Sequence, residues 1–109
     1  MIHWINITST QQLDQIINDS ATLPQVIFKH STRCSISNMA KARLERAEAP
    51  ADIPFYYLDL LQNRALSQEI AQCFKVQHES PQILLIKSGQ CSYNASHNGV
   101  NMEELIEQL

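Results

Sequence analysis

The sequence predicts an α/β domain of three layers, a mixed central sheet with helices on both faces, and three observations carry that prediction. Short apolar or alternating runs recur between stretches of helical spacing. The last two such runs are joined only by a tight turn, so part of the sheet is antiparallel while the strands separated by helices are parallel. Finally, 109 residues with 44% apolar, 17% charged and only 2 glycines suit a single compact domain over residues 1–109.

Each element follows in order. "HWINI" (3–7) alternates as a short strand, and Thr8 or Ser9 serves as N-cap of a helix with Leu13, Ile16 and Ile17 at helical spacing. After Pro24, "QVIFKH" is a compact β-favouring run. A helix then starts near Cys34 with Ile36, Met39, Ala40, Leu44 and Ala47 as its buried stripe, stopping near Pro50. "PFYYLDL" (54–60) is an aromatic-rich strand. "NRALSQEIAQCFKV" follows as a helix that buries Leu66, Ile70, Cys73 and Phe74. "SPQILLIKSGQCSYNAS" is an apolar run, a turn and a more polar alternating run, which signals a hairpin. Asn101 caps a closing helix with Met102, Leu105, Ile106 and Leu109 on one face.

Composition narrows the function. Net charge is −3 and the 8 basic residues are scattered, which argues against nucleic acid or an anionic membrane as partner. No apolar stretch reaches the roughly 20 residues of a membrane span, and "MIHWINITST" lacks the features of a secretory leader, so a soluble, cytoplasmic protein, monomeric by default, is expected. Three cysteines far apart, Cys34, Cys73 and Cys91, do not suit a disulfide framework, and reduced thiols are the expectation. There is no CxxC pair, the histidines are dispersed, and neither spacing suggests a metal.

The segment "FKHSTRCSIS" (28–37) carries the main chemical signal. A cysteine where a strand gives way to a helix meets free backbone N–H groups at the positive end of the helix dipole, which favours thiolate. Lys29, His30 and Arg33 add nearby positive charge, although strand alternation aims some of them elsewhere. A small helix-start residue without chemistry is the alternative, and spacing alone does not separate the two readings.

The order of elements, the apolar strand ending at a helix-initiating cysteine, and the later "SPQILLIKSGQ" together resemble the thioredoxin superfamily over nearly the whole chain. The resemblance implies a thioredoxin-like α/β/α fold in which Pro81 is a cis-proline facing the cysteine. Ser80 before it would offer its backbone to an extended substrate strand. Where that superfamily has CxxC, this chain has Cys34-Ser35-Ile36-Ser37, so a second cysteine is replaced by Ser37. Exchange would then be monothiol, with Cys34 as nucleophile and the Ser37 hydroxyl at most hydrogen-bonding its sulfur.

"FKHSTRCSIS" is also similar to the stretch around the cysteine in the YtxJ-type monothiol bacilliredoxins. That resemblance implies removal of bacillithiol, a low-molecular-weight thiol co-substrate, from mixed disulfides on client proteins, with no metal or organic cofactor. Cys34 and Ser37 would be catalytic, and Thr32, Arg33, Ser35, Ser80 and Pro81 would hold substrate. Arg33 and Ser35 depart from the small polar residue and proline expected beside the cysteine, which bears on the choice of small thiol. Monothiol glutaredoxins are the nearest competitor, but their Cys-Gly-Phe-Ser site and Gly-rich acidic turn are not matched by "ASHNGVNMEE".

Cys73 is expected in the core, and Cys91, just past the hairpin turn, to be exposed. His97 is a solvated loop residue that could approach Pro81, and Trp4 is a packing residue. Two readings from other classes stand beside the enzyme. One is a binding module that uses the Ser80–Pro81 edge without turnover; the other is a redox sensor in which Cys34 pairs with Cys91 or Cys73.

Overall fold

The computed structural model describes residues 2–109. Five strands, β1 (Trp4–Asn6), β2 (Gln25–His30), β3 (Phe55–Asp59), β4 (Gln82–Lys87) and β5 (Gln90–Ser96), form one sheet in the order β1-β3-β2-β4-β5. The helices are α1 (Thr10–Asp19), α2 (Ser35–Arg46), α3 (Arg64–Phe74) and α4 (Met102–Glu107). β1, β3 and β2 are parallel, whereas β4 runs antiparallel to β2 and β5 to β4. The expected mixed, three-layer architecture is therefore the one observed.

Alternation along the two central strands divides the core. Val26, Phe28, Ile83 and Leu85 point to one face and meet Ala40 and Leu44 of α2 with Met102 and Leu105 of α4. Ile27, Leu84 and Ile86 point to the other and meet Leu13 and Ile16 of α1 with Leu66, Ile70 and Phe74 of α3. Because both faces are covered, β2 and β4 are near-continuous buried runs, while the edge strand β5 alternates between exposed and part-buried.

Trp4 packs as expected, stacked on the Phe28 ring at 5.5 Å between centroids, with Nε1 donating to Glu45 Oε2 at 2.7 Å. Ser9, of the two candidates, is the α1 cap, its Oγ accepting from Gln12 N, and the Asn101 side chain accepts from Glu104 N as the α4 cap. Ser88 and Gly89 both take positive φ (53° and 76°), as a two-residue turn between right-twisted strands requires. The Ser20 hydroxyl at the end of α1 accepts from Gly89 N at 2.8 Å and holds that turn in place.

Several expected faces turn out otherwise. On α2 the buried positions are Ser37, Ala40 and Leu44, and Ile36 (51% exposed) and Met39 (62% exposed) face outward. Two of these three buried positions are the small residues Ser37 and Ala40, so the apolar character of α2 does not mark its buried side. On α3 the buried stripe includes Ser67 beside Leu66, Ile70 and Phe74, which moves its centre away from Cys73 and leaves that thiol exposed rather than in the core. Ile106 and Leu109 are exposed as well: within α4 only Met102 and Leu105 reach the core, and Leu109 lies beyond the helix end at Glu107. Cys91, expected exposed, is part-buried against the α1/α3 side, its Sγ donating to the Tyr93 carbonyl at 3.3 Å.

Candidate active site at the start of helix α2

Cys34 occupies the N-cap of α2 with extended backbone (φ −106°, ψ 121°), and its carbonyl accepts the first helical hydrogen bond from Asn38 N at 3.0 Å. The side chain makes no capping bond. A half-exposed sulfur therefore stands before the unpaired N–H groups of the first turn, which are donors available to a negatively charged sulfur. The preceding loop is tied down twice. Cys34 N donates to the Ser31 carbonyl at 3.2 Å, and Asn38 Nδ2 donates to the Thr32 carbonyl at 3.3 Å.

The peptide between Ser80 and Pro81 is cis. Its location follows from register. β2 and β4 are antiparallel with Lys29 opposite Gln82, so the chain enters β4 through Pro81 at the end of the sheet where β2 leaves toward Cys34. Pro81 is buried, and its carbonyl accepts from His97 N at 3.0 Å, which joins the start of β4 to the turn after β5. Arg43 of α2 reaches the same turn, its Nη2 donating to the carbonyls of His97 at 3.1 Å and Val100 at 3.2 Å. His97 thus meets Pro81 through backbone, with its side chain exposed. The buried Ser80 hydroxyl has no hydrogen-bond partner among the described residues.

Ser37 departs from the expected contact. Its hydroxyl is fully buried, lies 2.7 Å from His30 Nδ1 and accepts from Ser31 N at 3.0 Å, so it is committed to the strand end and no bond to the Cys34 sulfur is formed among the described residues. Alternation explains the pairing: His30 shares the Phe28 face, the side covered by α2, and Ser37 is the first inward position of that helix. Burial lowers the His30 pKa below the ordinary 6.5, and Lys41 pushes the same way against Asp59. His30 is accordingly a neutral partner near pH 7.

Lys29 is likewise not a neighbour of the thiol. It shares the Ile27 face and points under α3, where Nζ donates to the Ser67 carbonyl at 3.0 Å and lies 3.2 Å from His78 Nδ1. Of the three cations expected near Cys34, only Arg33 is not drawn into the core; it is exposed, as are Thr32 and Ser35, the other residues flanking Cys34 in sequence. The Ser37–His30 and Lys29–Ser67–His78 groupings escaped the sequence reading. The odd–even parity of β2 signals only their faces, since Ile27 and Lys29 must share one and Phe28 and His30 the other, and not their partners.

Cys73 and Cys91 line one cavity of about 380 Å³ between the end of α3 and the β4–β5 turn. Cys91 pairs with Ile86, which faces Gln25 at the far end of β2. Five strand steps separate Gln25 from His30, about 16 Å, against the roughly 7 Å between Cα atoms that a disulfide allows. A Cys34–Cys91 bridge is therefore outside the reach of this fold without rearrangement. The arrangement can perform single-thiol exchange at Cys34, with an extended chain laid beside Ser80.

Comparison with known proteins bears on the family and the fold. The family model for the monothiol bacilliredoxin BrxC matches residues 5–105. A solved protein assigned as an oxidoreductase with a thioredoxin fold superposes with a TM-score of 0.81 and 32% identity, covering 96% of this chain and 92% of its own. The thioredoxin of Malassezia sympodialis (TM-score 0.74, 20% identity, 98% and 88% covered) and that of Fasciola hepatica (0.69, 22%, 94% and 92%) share the fold.

Proposed function

Because this chain belongs to the monothiol bacilliredoxin BrxC family and is a thiol–disulfide oxidoreductase, we propose that it removes a small thiol, bacillithiol, from mixed disulfides on client proteins in the cytoplasm. The observation that carries this reading is a single thiol at the N-cap of α2, with Ser37 in place of a second cysteine and its hydroxyl already engaged by His30.

The Cys34 thiolate attacks the small-thiol sulfur of the mixed disulfide. The old S–S bond breaks, a new one forms between Cys34 and the small thiol, and the client leaves as thiolate and takes a proton. Since Ser37 stands in place of the resolving cysteine and Cys91 lies out of reach, a second small-thiol molecule, as thiolate, attacks that sulfur. A symmetrical small disulfide leaves and Cys34 is restored. In balance, one mixed disulfide and one free small thiol become the free client thiol and one symmetrical small disulfide, so the incoming small thiol is the reductant consumed. Ser80 pairs its backbone with the client segment beside Pro81, and Thr32, Arg33 and Ser35 surround the small thiol.

Clients carrying bacillithiol or glutathione at the same cysteine, offered as single substrates with the matching thiol as reductant, test the choice of thiol. Bacillithiol is expected to give the higher kcat/KM; equal or higher values with glutathione would refute that choice.

A further inference from the structure

Lys29 is fully buried and, among the described residues, makes no ion pair with a carboxylate. A buried ammonium held only by neutral groups is unfavourable compared with an aliphatic side chain such as that of Ile27, which shares its face. The position therefore uses something that lysine does. What Lys29 does is join three elements: from β2 its Nζ donates to the Ser67 carbonyl of α3 and meets His78 Nδ1, which lies 3.1 Å from the Ser67 hydroxyl as well. Both neighbours of that nitrogen are donors, so the neutral ring accepts at Nδ1 and carries its proton on Nε2.

His78 belongs to the short segment between α3 and β4. Lys75 ends α3 in the left-handed region (φ 56°), the Gln77 carbonyl accepts from Gln82 Nε2 at 3.0 Å, and Glu79 Oε2 accepts from Ser96 Oγ at 2.6 Å. The contact at His78 ties this segment to β2, two residues before Ser80.

We propose that Lys29 is a positioning residue for thiol exchange: through His78 it holds the 75–80 segment, and with it Ser80 and Pro81, in register with the end of β2 from which Cys34 emerges. The inference rests on the reading of Cys34 as nucleophile and Ser80 as the client's backbone partner. It carries a pH dependence. The charged or polar groups facing His78 are Lys29 from β2, Ser67 from α3 and Glu79 from its own segment. Burial, and then Lys29, lower the His78 pKa, while Glu79 opposes them. Once pH falls below that value Nδ1 gains a proton, stops accepting and faces an ammonium, and the clamp opens.

The test is steady-state exchange between about pH 5 and 8 on a bacillithiol-loaded client and on a small symmetrical aromatic disulfide, which needs no backbone pairing. Lys29→Met and His78→Ala are expected to raise KM for the client about fivefold, leaving kcat and the rate with the small disulfide near wild type. His78→Asn keeps an acceptor at the Nδ1 position without titrating; it is expected to retain the wild-type KM and lose its rise at acid pH. Unchanged client KM in both Lys29→Met and His78→Ala would overturn the proposal, as would an acid rise that persists in His78→Asn. Cys34→Ser assayed in parallel separates the two layers, since its activity reports on the nucleophile whatever the clamp variants do.

Discussion

Replacing Lys29 by methionine is expected to make the protein more stable while it weakens client binding. Burial lowers the Lys29 pKa from 10.5 to about 8, and a shift of that size corresponds to about 3 kcal/mol against the charged form. Solvent beside the exposed His78 screens part of this, leaving about 2 kcal/mol at pH 7. Methionine fills a similar volume without charge. The hydrogen bonds it loses offset about 1 kcal/mol, because the Ser67 carbonyl lies inside α3 and keeps its helical partner. The net gain is about 1 kcal/mol, or roughly 5 °C in Tm for a domain of this size. The sign with pH follows from linkage. Between about 8 and 10.5 the unfolded chain binds the proton that the folded chain has lost, so wild-type stability rises with pH across that window and the advantage of the variant disappears by about pH 10. Urea denaturation of both proteins from about pH 7 to 10 reads the difference directly. A variant less stable than wild type at pH 7, or a difference that does not change with pH, would refute the reasoning.

Three further outcomes follow from the packing. Ser37→Ala removes the acceptor of Ser31 N and the partner of buried His30, and is expected to lower stability by about 1–3 kcal/mol in urea unfolding; no change would mean that the His30 end of β2 does not depend on that hydroxyl. Ile36→Ser and Met39→Ser are expected to stay within about 0.5 kcal/mol of wild type, whereas Leu44→Ala loses about 2–5 kcal/mol; the reverse order would place the apolar stripe of α2 in the core after all. Cys73→Ser and Cys91→Ser are each expected to retain most exchange activity, and its loss in either would show that the mechanism is not strictly monothiol.

Much of this fold was legible because its signals are local. Ser9 and Asn101 announce their helices as caps, the turn at Ser88–Gly89 has the chemistry of a tight hairpin, and the β2 and β4 runs are apolar on both parities because both faces are covered. The start of α2 at Cys34 and the proline heading β4 were legible for the same reason. What escaped depended on which side of a helix meets the sheet. On α2 and α3 the buried stripe includes serine, so a reading by hydropathy placed Ile36, Met39 and Cys73 inside and missed Ser37 and Ser67. Those two serines then receive His30, Lys29 and His78, polar partners joined across at least seven residues of sequence, and no local pattern reports such a pairing.

The central claim, exchange by one thiol, is tested most directly by intact-mass analysis of the reduced protein after mixing with a bacillithiol-loaded client, wild type beside Cys34→Ser. The wild type is predicted to gain one bacillithiol at Cys34 while the client loses one, with no internal disulfide formed, and the variant to leave the client loaded. Release of bacillithiol by Cys34→Ser, or a wild type that takes up nothing while the client stays loaded, would contradict the account.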